Sequence, residues 1–176
     1  RTVTEPLGLD PARVHTPDGF ADDVEAAAAG YERAIAGAGG VDVQILGVGA
    51  NGHVGFNEPS SSLASRTRIK SLDDRTRRDN ARFFASLDEV PRHCLTQGLG
   101  TIMDARAVVL IAQGAAKADA VRGVVEGPVT AMCPGSVLQL HRTVTVVIDE
   151  AAASGLALRE YYRETYAHKT AWQAFE

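Results

Sequence analysis

The stretch "GVGANGHVGFNEP" (residues 47–59) sets one imidazole, His53, behind Gly47, Gly49 and Gly52, with Asn51 two positions before it and Glu58 five positions after. An imidazole with a pKa near ~6.5 accepts and returns a proton at neutral pH, provided a neighbour holds its tautomer. Glu58 has the chemistry to orient that ring or to act as a second acid, and Asn51 completes the group. The plainer alternative is a histidine that only hydrogen-bonds a nearby carbonyl, with the glycines serving turns. A glycine-rich loop must still satisfy every backbone polar group it carries. Following an apolar run and preceding an Asn-Glu-Pro turn, it suits a bound ligand better.

Two cations stand elsewhere in similar settings. Arg82 lies in "RDNARFF" and Lys117 in "GAAK", just after a strand-to-glycine turn. A guanidinium grips a phosphate through two parallel hydrogen bonds, whereas an ammonium acts as a point charge. Taken singly, each also fits a solvated surface charge. His93, His141 and His168 read as structural or surface residues, and Met132 and Cys133 in "AMCPGS" as turn and core. The spacing Gly47-x-Gly49-x-x-Gly52 matches a dinucleotide fingerprint only superficially. No helix-forming run follows it, so a nicotinamide cofactor is excluded.

These residues need a scaffold, and the apolar pattern supplies one. Residues 21–36 are acidic at the start, rich in alanine and stopped by "GAGG", which predicts a helix. Residues 41–49 predict a buried strand, 50–71 a long polar loop, and 72–87 a second helix with Asp73 as its N-cap. Further strands are expected over 107–114 and 143–150, with helices over 115–127 and 154–169. Apolar strands alternating with helices imply a single α/β domain over residues 1–176, with a parallel sheet covered on both faces. In such sheets ligands bind beyond the carboxyl ends of the strands, where both strand-to-glycine turns fall.

Composition narrows the partners. With 45% hydrophobic and 23% charged residues the chain is an ordinary globular one. A formal charge of −4 without a Lys/Arg block gives no footprint for nucleic acid. The modest cluster Arg66, Arg68, Lys70, Arg75, Arg77 and Arg78 suits a small anion instead. Two isolated cysteines, Cys94 and Cys133, fit a reducing cytoplasm, and no apolar run reaches the ~18 residues of a membrane span. The chain opens with Arg1 on a loop-like, proline-rich segment, which reads as the C-terminal part of something longer.

The run "LGVGANGHVGFNEPSSSLASRTRIKSL", together with "NARFF", "GAAK" and "CPGSVLQLH", resembles the glucosamine-6-phosphate deaminase family. The resemblance implies a Rossmann-like fold and conversion of glucosamine 6-phosphate and water to fructose 6-phosphate and ammonia, without metal or organic cofactor. It implies that His53 opens the pyranose ring with Glu58 and Asn51, and that Arg82 and Lys117 hold the phosphate. Ser61, Arg68, Lys70 and Ser71 match positions that bind the activator N-acetylglucosamine 6-phosphate in regulated members; Arg68 equally fits a role in stabilising the loop. A cytoplasmic homo-oligomer, trimer or hexamer, is implied as well. The chain departs from the pattern in three ways. Asn51 stands where many members have Asp, and Ser71 where regulated members usually have Thr. The family's Gly-Gly-Ser/Thr phosphate loop and its Asp-Glu-Tyr motif, which holds the base for the C2 proton, occur nowhere in the 176 residues. The expectation is therefore the C-terminal two-thirds or so of such a domain, with little activity alone and apolar strand edges prone to association. A 6-phosphogluconolactonase-like hydrolase and a non-catalytic sugar-phosphate sensor are the alternative readings.

Overall fold

The computed structural model describes residues 4–170. In chain order its regular elements are α1 (Val24–Gly37), β1 (Val43–Gly47), β2 (Arg68–Ser71), α2 (Asp74–Asn80), β3 (His93–Thr96), α3 (Leu99–Met103), β4 (Ala107–Ala112), α4 (Ala118–Val125), β5 (Val144–Ile148) and α5 (Arg159–Ala167). Helix α1 begins where Asp23 accepts the Ala26 N–H at 2.8 Å, one of the amides that a helix start leaves unpaired. It ends at Gly39 and Gly40, both in the left-handed region at φ +88° and +94°, which lets Gly40 N–H reach back to Ile35.

Strands β1, β4 and β5 form a parallel sheet in the order β1-β4-β5. Leu46 sits beside Leu110, and Leu110 beside Val146. One face is packed: Leu46, Val108 and Leu110 meet Leu99 and Ile102 of α3, Val121 and Val124 of α4, and Val137 and Leu138 of the 3-10 turn Pro134–Leu140. Burying each such side chain fully is worth roughly 1.5–3 kcal/mol. The other face differs from the expectation. Val43, Ile45, Ile111 and Val147, all on that side by register, are 43–67% exposed, so among the described residues the sheet is covered on one face only. Among the same residues no helix is long and apolar enough to cross a membrane.

Four elements depart from the pattern read in the sequence: β2 and its partner β3, α2, and α3. The loop expected over 50–71 ends in β2, which pairs antiparallel with β3, placing Arg68 opposite Thr96 and Lys70 opposite Cys94. The second helix is shorter than expected: α2 stops at Asn80, and Arg82 falls in a 3-10 turn, Ala81–Phe83. Asp73 does cap α2, accepting Arg75 N–H at 2.9 Å. The five-residue α3 is too brief to register as a period of its own.

Candidate active site

The loop leaving β1 folds back on itself. Gly49 N–H donates to the His53 carbonyl at 2.8 Å and Gly52 N–H to the Gly49 carbonyl at 2.9 Å. Two glycines make this turn feasible. A Cβ on Gly49 would overlap the His53 ring. Gly52 sits at φ +82°, where a Cβ would come 2.5 Å from Cys133 Sγ. The imidazole is thereby pressed against its own loop, with 13% of its side chain exposed against 7% for Glu58.

Asn51, His53 and Glu58 meet as expected, but through a different arrangement. Asn51 Nδ2 donates to Glu58 Oε2 at 2.8 Å, and Asn51 Oδ1 accepts His53 N–H at 3.2 Å. A carboxylate takes only a donor and a backbone N–H only an acceptor, so the amide orientation is fixed by its partners. Asn51 therefore aims Glu58 and the backbone of His53, not the imidazole ring. Glu58 Oε1 accepts Asp73 N–H at 3.2 Å. His53 Nδ1 lies 3.3 Å from Glu58 Oε2, an ion-pair distance once the ring is charged. Hydrogen-bond alignment is missing, however, and Nδ1 is a buried nitrogen without a hydrogen-bond partner. Burial holds the His53 pKa below its ordinary 6.5, against the upward pull of Glu58; Lys117 adds a smaller downward and Asp79 a smaller upward influence. At neutral pH the ring is thus a base ready to accept a proton.

His53, Arg82 and Lys117 line one cavity of about 550 Å³ beyond the carboxyl ends of β1 and β4, together with Arg75, Thr76, Asp79 and Asn80 of α2. Lys117 follows the turn at Gly114 (φ +85°) and donates from Nζ to the Val48 carbonyl at 2.8 Å. Asp149, at the end of β5, fixes that turn by accepting Gly114 N–H through both oxygens at 3.0 Å. The Arg82 guanidinium lies 4.8 Å from the centre of the Phe83 ring, a stacking that leaves its N–H edges available.

The four residues matched to an activator site do not converge on one cavity. Ser61 is buried and donates from Oγ to the Glu58 carbonyl at 2.6 Å. Arg68 donates to Asn57 Oδ1 at 2.9 Å and borders a cavity of about 470 Å³ beside α1. Lys70 and Ser71 line another of about 700 Å³, shared with Glu58 and Asp73.

Several residues that matter here escape sequence reasoning. Asn57, 0% exposed, donates to the Val54 carbonyl at 3.0 Å and the Gln97 carbonyl at 2.8 Å, clamping the loop to the end of β3. Thr96 Oγ1 accepts Phe56 N–H at 3.0 Å. Glu32 of α1 accepts from Thr67 N–H at 2.8 Å, Thr101 Oγ1 at 2.6 Å and Arg66 Nη2 at 2.6 Å. Although burial opposes it, those bonds hold its carboxyl at about 2. Asn57 stands inside the conspicuous "FNEP"; for Glu32, on a helix of ordinary composition, the sequence carries no such signal. His141 bears out its structural reading, with Nε2 bonded to the Ala105 carbonyl at 2.8 Å and Nδ1 accepting Thr143 N–H at 3.0 Å.

Comparison with known proteins follows the same lines. The family described as glucosamine-6-phosphate isomerases/6-phosphogluconolactonase matches residues 1–147. A glucosamine-6-phosphate deaminase of Cutibacterium acnes is 70% identical over 164 residues, covering 93% of this chain and 63% of that protein. Another, of Pseudarthrobacter chlorophenolicus, is 64% identical over 173 residues, covering 98% and 67%. The chain thus spans about two-thirds of the length of these curated relatives. Among solved structures, a monomeric glucosamine-6-phosphate deaminase superimposes with a TM-score of 0.82 at 45% identity, over 84% of this chain and 61% of that one. A 6-phosphogluconolactonase from Leishmania guyanensis, at 24% identity and a TM-score of 0.56 over 76% and 53%, shares the fold. This chain belongs to the glucosamine-6-phosphate isomerase/6-phosphogluconolactonase family.

Proposed function

We infer that this chain carries the ring-opening and phosphate-binding part of a glucosamine-6-phosphate deaminase, which converts the amino sugar phosphate and water to fructose 6-phosphate and ammonia. The observation that carries this reading is the shared cavity. A poised base, His53, and two cations, Arg82 and Lys117, face the same space, with Glu58 placed behind the imidazole. The cations take the phosphate, fixing the sugar so that His53 moves a proton to or from the ring oxygen. Glu58 stabilises the imidazolium that results, and Asn51 and Asp73 hold Glu58 in place. Such acid–base assistance contributes typically 10²–10⁴-fold. The C2 proton needs a second base, and the Asp-Glu-Tyr motif implied for it does not occur in these 176 residues, so no residue here is assigned to that step.

The test is ammonia release from glucosamine 6-phosphate by this chain alone and by the chain extended to the length of its curated relatives. Activity is expected in the extended protein and little in the chain alone. No release from either, alongside saturable sugar-phosphate binding, would replace the deaminase by a sensor.

Three finer points belong to the same proposal. Activation by N-acetylglucosamine 6-phosphate would act through Lys70 and Ser71, whose cavity shares Glu58 with the site; activity against added activator decides. A trimer or hexamer is the assembly implied by the resemblance, whereas the solved relative at 45% identity is monomeric; sedimentation decides. A cytoplasmic location accords with the free thiols of Cys94 and Cys133.

A further inference from the structure

The wall of the cavity formed by α2 carries more charge than a phosphate grip requires. Arg75, Asp79 and Arg82 follow one another at spacings of four and three, which puts them along one side of the helix and its following turn, and all three line the cavity. With Lys117 the lining holds three cations and a single carboxylate, Asp79. The other acids of this segment have tasks in the fold: Asp73 caps α2, and Asp74 pairs with Arg77 at 3.7 Å. Asp79 has none. It is exposed, and it is absent from the hydrogen bonds and ion pairs of the described residues.

A carboxylate among three cations weakens the hold on a phosphate, so a cavity shaped for phosphate alone has no use for it. A zwitterion reverses that balance. Asp79 lines the same cavity as His53, Arg82 and Lys117, three residues before Arg82, within reach of a sugar whose phosphate sits at the two cations. We propose that Asp79 is a specificity-determining residue that pairs with the ammonium of a 2-amino sugar phosphate, so that the cavity selects an amine over a hydroxyl at that carbon. This rests on the deaminase reading above and names what makes the site prefer its substrate.

Asp79→Asn separates the two. Titration calorimetry of the chain at neutral pH would compare glucosamine 6-phosphate, glucose 6-phosphate and inorganic phosphate. The unaltered chain is expected to favour the amino sugar. In Asp79→Asn that ligand should lose affinity by roughly tenfold or more, while glucose 6-phosphate and inorganic phosphate bind as well or tighter, because a repelling charge has gone. Asp79→Glu should recover part of the preference. A structural defect moves all three ligands together, so the crossing of signs is the diagnostic result. Equal losses for both sugars, or no change in either, would overturn the proposal while leaving the deaminase reading intact. If the unaltered chain binds neither sugar phosphate, the same titrations on the chain extended to the length of its relatives decide, and a failure to bind there too would overturn both readings.

Discussion

The two walls of the cavity are built in opposite ways. On one side the loop carrying His53 is fixed from several directions: Asn57 bonds Val54, Gln97 and Arg68, Glu58 is held by Asn51 and Asp73, and a glycine is needed wherever the ring or Cys133 comes close. On the other side α2 and the turn after it present Arg75, Asp79 and Arg82, while the attachment of α2 is made mainly from its back by Arg77, which donates to the Leu87 and Val90 carbonyls at 3.1 Å. The proton-transfer group thus stands on over-determined backbone and the charged groups that read a ligand stand on a lightly tied helix. Substitutions on the first wall should change rate and stability; on the second they should change affinity with little effect on folding.

The sharpest break in that contrast would come from His53→Ala in an active protein of the relatives' length. Loss of roughly 10²- to 10⁴-fold in kcat/KM is expected, with the fold intact by circular dichroism; a loss under tenfold would remove His53 from the chemistry. Next is Asn57→Ala, which removes the side-chain amide's two donor bonds to the Val54 and Gln97 carbonyls and the bond it accepts from Arg68. A cost of about 2–3 kcal/mol is expected in chemical denaturation. Arg82→Ala should raise KM by roughly tenfold with kcat little altered and cost under about 0.5 kcal/mol of stability; equal damage to stability would erase the distinction between the walls.

Glu32 gives a smaller, pH-dependent effect. Its folded carboxyl titrates at about 2 against an ordinary value of 4.5, so its contribution is complete above pH 4.5 and is lost as pH falls through 2. Discounted for solvent screening, it is on the order of 1–2 kcal/mol, and the difference in melting temperature between the protein and Glu32→Gln should shrink across that window. The smallest effect concerns His53 itself. Because its pKa is depressed below 6.5, the acid limb of kcat/KM should lie below pH 6.5, and any stability linked to the neutral ring is present above 6.5 and lost as pH falls through the folded value. Asn51→Asp should move that limb upward, read as the imidazole titration by NMR. The upward move is opposed within the site, since the new carboxylate loses the 2.8 Å donor bond to Glu58 and the pair tends to share a proton.

One wall is far more legible in the sequence than the other. Gly47, Asn51, His53 and Glu58 lie within a dozen residues, so their types and spacing display the acid–base group along the chain itself. Arg82 and Lys117 are recognisable as cations, but their convergence depends on how β4 and α2 are placed around β1, a matter of tertiary packing. Strand β2 is hidden because "RIKS" is polar and gains its ladder only from β3. Asp79 reads as one more charge on a helix; its meaning comes from the cavity it faces. The activator positions are a different case. The four are matched through the resemblance, and in the fold they lie in three environments: Ser61 is buried, Arg68 borders the cavity beside α1, and Lys70 and Ser71 line a third.

The parallel pairing of β1 with β4 has a kinetic consequence. Between those strands run the His53 loop, β2, α2, β3 and α3, so closing the ladder means bringing together segments separated by much of the chain before either gains from the contact. Pairings of such high sequence separation form slowly. The loop depends on the same closure, for its Gln97 anchor lies at the end of β3 and Lys117 reaches Val48 only from the far end of β4. Refolding should therefore regain helical signal early and ligand binding late, with the cavity among the last parts of the molecule to exist.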